Sequence, residues 1–164
     1  MLRAPERPPD GVRMFDLING LPIHPLVVHA VVVLLPLAIL GTIAIVVRPA
    51  WRHRYGPLVV GIALVATVLI PVATSSGEAL ERHVGDPGAH ARLGDQLIWF
   101  ALPLLLLLAG LVWAERREQL RGAVRILAAG AVVAALAAGV QVYRVGDSGA
   151  RAAWGDQVTS SAAN

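Results

Sequence analysis

Residues 24–47 read HPLVVHAVVVLLPLAILGTIAIVV, a run with no acid and no arginine that opens on one histidine and holds a second, His29, five residues on. Its length exceeds the roughly 20 apolar residues that a helix needs to cross a bilayer. A titratable imidazole inside such a run is costly and sits where it has a partner, so His29 is the first candidate functional residue.

The rest of the chain repeats the pattern. Acids and arginines are also missing from Tyr55 to Gly77, from Gln96 to Ala114 and from Ile126 to Tyr143, and the first such segment begins as early as Leu17. Of 164 residues, 56% are hydrophobic and only 15% charged, against about 25% charged in soluble domains. The expected fold is all-α: a four-helix transmembrane bundle with helices near 24–47, 56–76, 93–114 and 124–144. Residues 17–155 form the membrane domain. Residues 1–16 and 156–164 read as disordered tails, and Met14 is a second candidate start.

Composition also excludes chemistry. Cysteine is absent, which removes disulfides, iron-sulfur clusters and thiolate metal sites. All fourteen basic residues are arginines scattered between spans, so the net charge of +3 does not form a nucleic-acid patch. No Gly-rich phosphate loop, nucleophile elbow or intramembrane carboxylate pair marks a catalytic domain, and the chain by itself is not expected to be an enzyme. Gly146-Asp147-Ser148-Gly149 matches the nucleophile region of chymotrypsin-like proteases, but that chemistry needs a β-barrel and a separately placed His and Asp. It reads as a turn after the fourth span.

Loop charges predict orientation. Arg48, Arg52 and Arg54 lie in the first connection and Arg116, Arg117, Arg121 and Arg125 in the third, whereas the second holds Glu78, Glu81, Asp86 and Asp95 against Arg82 and Arg92. The arginine-rich connections are expected in the cytoplasm, with both termini and the helix 2–3 loop outside. Trp51, Tyr55 and Trp113 then mark the inner interface, and Trp99 and Tyr143 the outer one. His24, His29, His83 and His90 gather at the outer end, with Gln141 near it, while His53 is solvated among the inner arginines.

Pro25 suits a first helical turn. Five residues place His24 and His29 roughly 140° apart around a helix, so they form no one-face chelate. The expectation is that His29 points into the bundle and His24 toward the outer loop. His83 and His90 flank Gly85-Asp86-Pro87-Gly88, a turn by its residue types, and His90 stands where it could face His29. Glu78 and Arg82 have the spacing of a helical ion pair. Ala131, Ala135 and Gly139, and in parallel Gly130, Ala134 and Ala138, form small-residue stripes suited to close helix packing. Gln141, just beyond, suits interhelical hydrogen bonding, and Pro36, Pro71 and Pro103 are tolerated inside spans.

Gly20-Leu21-Pro22-Ile23-His24-Pro25-Leu26-Val27-Val28-His29, the Ser76-Gly77 closing helix 2, His90 and the Gly-rich segment after helix 4 together resemble a bacterial four-span membrane family catalogued as a domain of unknown function. The family signature is similar to His-Pro-x-x-Val-His. Many members continue with Phe-Pro, where this chain has Ala30-Val31, and the segment Gly146 to Arg151 departs from the Gly-Gly-x-Leu-Val-Tyr ending common among them. The resemblance implies no established reaction and directs attention to His24, His29 and His90.

Two function classes follow. In one, His29 and His90 bind a b-type haem or a transition metal between helices for redox or electron transfer, with His24 and His83 as alternative metal ligands and Gln141 and Glu78 as further polar site residues. In the other, the chain is a cofactor-free structural or regulatory subunit of a membrane complex. Expected partners are the lipid bilayer of the cytoplasmic membrane and a membrane-protein partner or second copy, without nucleic acid.

Overall fold

The computed structural model describes the backbone of residues 17–18, 21–84 and 88–161, and the side chains of residues 24–78 and 88–151. A two-residue ribbon, β1 (Leu17–Ile18) with antiparallel β2 (Leu21–Pro22), leads into α1 (Ile23–Val47). A single 3-10 turn, Pro49–Trp51, connects to α2 (Arg52–Val84). Short α3 (Ala89–Asp95) and α4 (Ile98–Glu115) follow, then a second 3-10 turn, Glu118–Leu120, and α5 (Arg121–Ser161).

Among the described residues, four helical stretches are long and apolar enough to cross a membrane: His24–Val47, Pro49–Glu78, Ala89–Glu115 and Glu118–Arg151. Within the bundle α1 packs on α2 and α5, and α4 packs on α5 and α2. The helices α1 and α4 therefore occupy opposite corners, and both run from the same end. We call that end, where His24 and His90 lie, the histidine end, and the opposite one the arginine end.

The interior is a set of narrow stripes. Val31, Leu35, Ala38, Thr42 and Ile45 are buried on α1, alternating steps of four and three that keep one seam inward. The outward side of α1, including Leu26, Val32, Val33, Leu37 and Leu40, is exposed, as a lipid-facing surface must be. On α5 the buried seam is Ala128, Ala131, Ala135 and Ala138, which draws one residue or more from each expected stripe. Gly130 on its flank receives Leu107, whose Cδ2 would stand 3.3 Å from an added Cβ. Small side chains thus let backbones approach, as the stripes predicted. Buried Thr42 and Thr67 return their hydroxyls to the carbonyls of Ala38 and Ala63 one turn back, at 2.8 and 2.7 Å, so neither leaves an unsatisfied group in the core.

The arginine end is fastened by one of the arginines counted in the first connection. Arg52 is only 8% exposed. Its Nε donates to Ile45 O at 2.9 Å and its Nη2 to Val46 O at 3.2 Å, capping the last carbonyls of α1. Its Nη1 meets Glu115 Oε2 at 3.1 Å. One guanidinium, with its planar fork of donors, ties α1, α2 and α4 together. Around it Arg48 stacks over Trp51, Arg54 over Tyr55 and Arg117 over Trp113, an aromatic belt with its cations, while His53 is exposed as expected.

Two helices run past the spanning length. At 1.5 Å per residue α5 is ~60 Å long and α2 ~50 Å, against a hydrocarbon core of ~30 Å. Both project at the histidine end. The expected turn at Gly146 to Gly149 is instead part of α5. Its glycines keep helical φ, since Gly88 is the one glycine with positive φ among the described residues, and an Arg151–Asp147 pair at 2.9 Å, one turn apart, bridges the segment. Within the expected second turn, Gly88 has φ 64°, a left-handed conformation suited to glycine; residues 85–87 lie outside the described residues, as do residues 1–16 and 162–164.

Candidate functional site

The histidine end carries two side-chain clasps built alike. In the first, His24 Nδ1 lies 3.0 Å from Ala73 O and 3.1 Å from Ser76 Oγ on α2. Ser76 Oγ also donates to Ala73 O at 2.9 Å. A Cβ built on Gly77 would fall 3.0 Å from His24 Cε1. In the second, His90 Nδ1 lies 3.2 Å from Val145 O and 3.4 Å from Ser148 Oγ on α5. Ser148 Oγ donates to Val145 O at 2.8 Å, and a Cβ on Gly149 would fall 3.0 Å from His90 Cε1.

These bonds fix the state of each ring. A backbone carbonyl can only accept, so Nδ1 must carry the proton in both imidazoles. The lone pair of the neutral ring is then on Nε2. Neither Nε2 has a hydrogen-bond partner among the described residues, and no buried side-chain nitrogen or oxygen there lacks one. Among the described residues, then, each Nε2 lone pair is uncommitted. A ring held by Nδ1–H to a carbonyl, with Nε2 free, is the usual preparation of a histidine that ligates a metal.

This arrangement reverses the expected roles on helix 1. His24 continues the buried seam of α1, four residues before Val28 and seven before Val31, and faces α2. His29 lies off that seam and is exposed, its Nδ1 donating to Pro25 O at 2.6 Å one turn back. The expectation that His29 points into the bundle and His24 toward the loop is corrected by the structure. The physical reason is the 140° between them: only one could follow the seam.

The other candidates are placed as follows. Gln141 is 1% exposed; its Nε2 donates to Leu93 O at 2.9 Å, and Arg144 Nη1 donates to its Oε1 at 3.4 Å. It pins α3, and with it His90, to α5. Glu78 is exposed on α2 directly after Gly77. His83 belongs to the end of α2, and its side chain, like that of Arg82, lies outside the described residues. Among the described residues no three His, Asp or Glu side chains gather as a metal cluster.

Sequence reasoning missed Ser148 and Gly149, having assigned them to a turn. The available signal was a second Ser-Gly pair to match Ser76-Gly77. Proximity of Ser148 to His90 does not make a nucleophile and base. The nitrogen facing the hydroxyl already holds a proton, and the hydroxyl is spent on Val145 O.

The sequence profile of a membrane-protein family matches residues 20–162, nearly the whole described chain. The chain belongs to that family, Predicted membrane protein (DUF2231). Both clasps fall within the matched residues, so the family's extent includes the projecting part of α5 as well as the four spans. No curated protein and no solved structure matches the chain.

Proposed function

We propose that this multi-pass protein of the bacterial cytoplasmic membrane holds a b-type haem or a transition metal at its histidine end, facing away from the cytoplasm, and serves redox or electron transfer there. The ligand atoms are Nε2 of His24 and Nε2 of His90, with His24 in the place first assigned to His29. The observation that carries this reading is the pair of tethered rings: each Nδ1–H is committed to a main-chain carbonyl, which orients the ring and leaves one lone pair available. The sidedness rests on the arginine distribution of the connections.

The experiment is to purify the full chain in detergent, record oxidised and reduced visible spectra and measure bound metals. A haem or metal signal lost in both His24→Ala and His90→Ala supports the reading. A colourless, metal-free protein that also takes up neither when they are supplied overturns it.

A second reading is a cofactor-free structural or regulatory subunit. It is favoured by the fact that the same bonds staple α1 to α2 and α3 to α5 without any ligand. Retention of a membrane-protein partner by the colourless protein, lost in the clasp variants, would establish this reading in place of the first.

A further inference from the structure

The arginine end holds more cations than its own acids can occupy. Among the described residues its carboxylates are Glu115 and Glu118, and each is already paired, Glu115 with Arg52 at 3.1 Å and Glu118 with Arg121 at 2.9 Å. No carboxylate among the described residues pairs with Arg48, Arg54, Arg116, Arg117 or Arg125. All five are exposed.

Two of these cations are built into a row of four side chains. The guanidinium carbon of Arg48 stands 5.1 Å from the Trp51 centroid, Trp51 meets Tyr55 edge to face at 5.9 Å, and the guanidinium carbon of Arg54 stands 5.6 Å from the Tyr55 centroid. Stacking on a ring steadies a guanidinium while leaving its N–H fork free, so less freedom is lost when the fork binds an anion. The second connection has only part of this arrangement. There Arg117 stacks over Trp113, and no second ring stands beside Trp113 among the described residues.

The row continues into an apolar strip on the outward side of α2. Leu58 and Val65, three and ten residues beyond Tyr55, are exposed as Trp51 and Tyr55 are, and their spacing keeps them on the Tyr55 side of the helix. Cations and aromatic rings thus lie at the water boundary, with hydrocarbon below them. A soluble anion would satisfy the arginines and leave the strip unused; a lipid uses both.

We infer that Arg48, Trp51, Arg54 and Tyr55 form a binding site for an anionic phospholipid at the arginine end. The guanidiniums donate to headgroup phosphate oxygens, whose geometry their paired N–H groups match, and an acyl chain lies along Leu58 and Val65. Attraction between arginines beside a span and anionic lipid supplies the preference over zwitterionic lipid. The site is independent of whatever the histidine end holds.

The test is bromine quenching of Trp51. Full-length protein carrying Trp99→Phe, Trp113→Phe and Trp154→Phe keeps Trp51 as its one tryptophan. It is reconstituted in phosphatidylcholine vesicles with increasing fractions of phosphatidylglycerol, the acyl chains of one lipid or the other being brominated. Phosphatidylglycerol should associate beside Trp51 at least about fivefold more strongly than phosphatidylcholine, each arginine near the surface being worth about that factor. Arg48→Gln with Arg54→Gln should bring the two lipids to equal association. Quenching by brominated phosphatidylcholine alone should be the same in parent and variant, which separates loss of the site from loss of the fold. Arg116→Gln with Arg125→Gln removes the same charge from the same end and should leave the preference in place; if it abolishes the preference equally, a diffuse field attracts the lipid and the site is overturned. Equal association of the two lipids with the parent also overturns it. Relief of phosphatidylglycerol quenching by sodium phosphate, beyond that caused by sodium chloride at equal ionic strength, would assign the row to a free anion and overturn the lipid.

Discussion

The edge of the His24 ring rests on the backbone of Gly77, so closely that a methyl group there would stand 3.0 Å from Cε1. The ring cannot retreat without lengthening its bonds to Ala73 O and Ser76 Oγ. Gly77→Ala gains about 1 kcal/mol of helix propensity but loses at least that by displacing the ring. In a His24→Ala background only the gain remains. A double-mutant cycle, read by unfolding in mixed micelles, should therefore give a coupling of ~1–2 kcal/mol; additivity would refute the contact. Gly149 and His90 should behave the same way.

At the arginine end Gly56 faces Val112, whose Cγ2 would stand 2.8 Å from an added Cβ. Something must shift, and both atoms belong to packed helices. Gly56→Ala should cost ~1–3 kcal/mol, the usual range for overpacking. Val112→Ala introduced beside it should recover most of that loss.

Arg52 holds two terminal carbonyls of α1 as well as Glu115. Arg52→Ala removes all three bonds from a buried position and is expected to cost ~2–3 kcal/mol. Glu115 is 31% exposed at its side chain, so Glu115→Gln should cost ~1 kcal/mol or less, since solvent screens the pair and Arg52 keeps the carbonyls. Equal effects of the two substitutions would contradict this division.

Gln141→Leu leaves Leu93 O without its partner in a half-buried place. The expected cost is ~1–2 kcal/mol. Because Gln141 secures α3, amide exchange around His90 should quicken more than exchange around His24; uniform quickening would show that the bond steadies the whole bundle instead.

Much of the architecture was legible from residues alone. The runs beginning at His24, Tyr55, Gln96 and Ile126 mark four helices able to cross a membrane, and the described residues form four such helices. Alanine and glycine on the last span foretold its close packing, borne out by buried Ala131, Ala135 and Ala138. The site was less legible. His29 lies deeper in the apolar run than His24 and for that reason drew attention, yet the seam of α1 passes through His24. Gly146 to Gly149 has the composition of a turn, and helical context overrode it.

The sequence by itself determined that this is a membrane protein of four apolar helices, because hydropathy over a span is a local sum that neighbours do not alter. Only the tertiary structure decided which side of each helix turns inward. A helix apolar all round has no polar face to mark its orientation, so the inward seam is set by packing against other helices. Packing placed His24 against Ser76 and Gly77, placed His90 against Ser148 and Gly149, and left His29 outside.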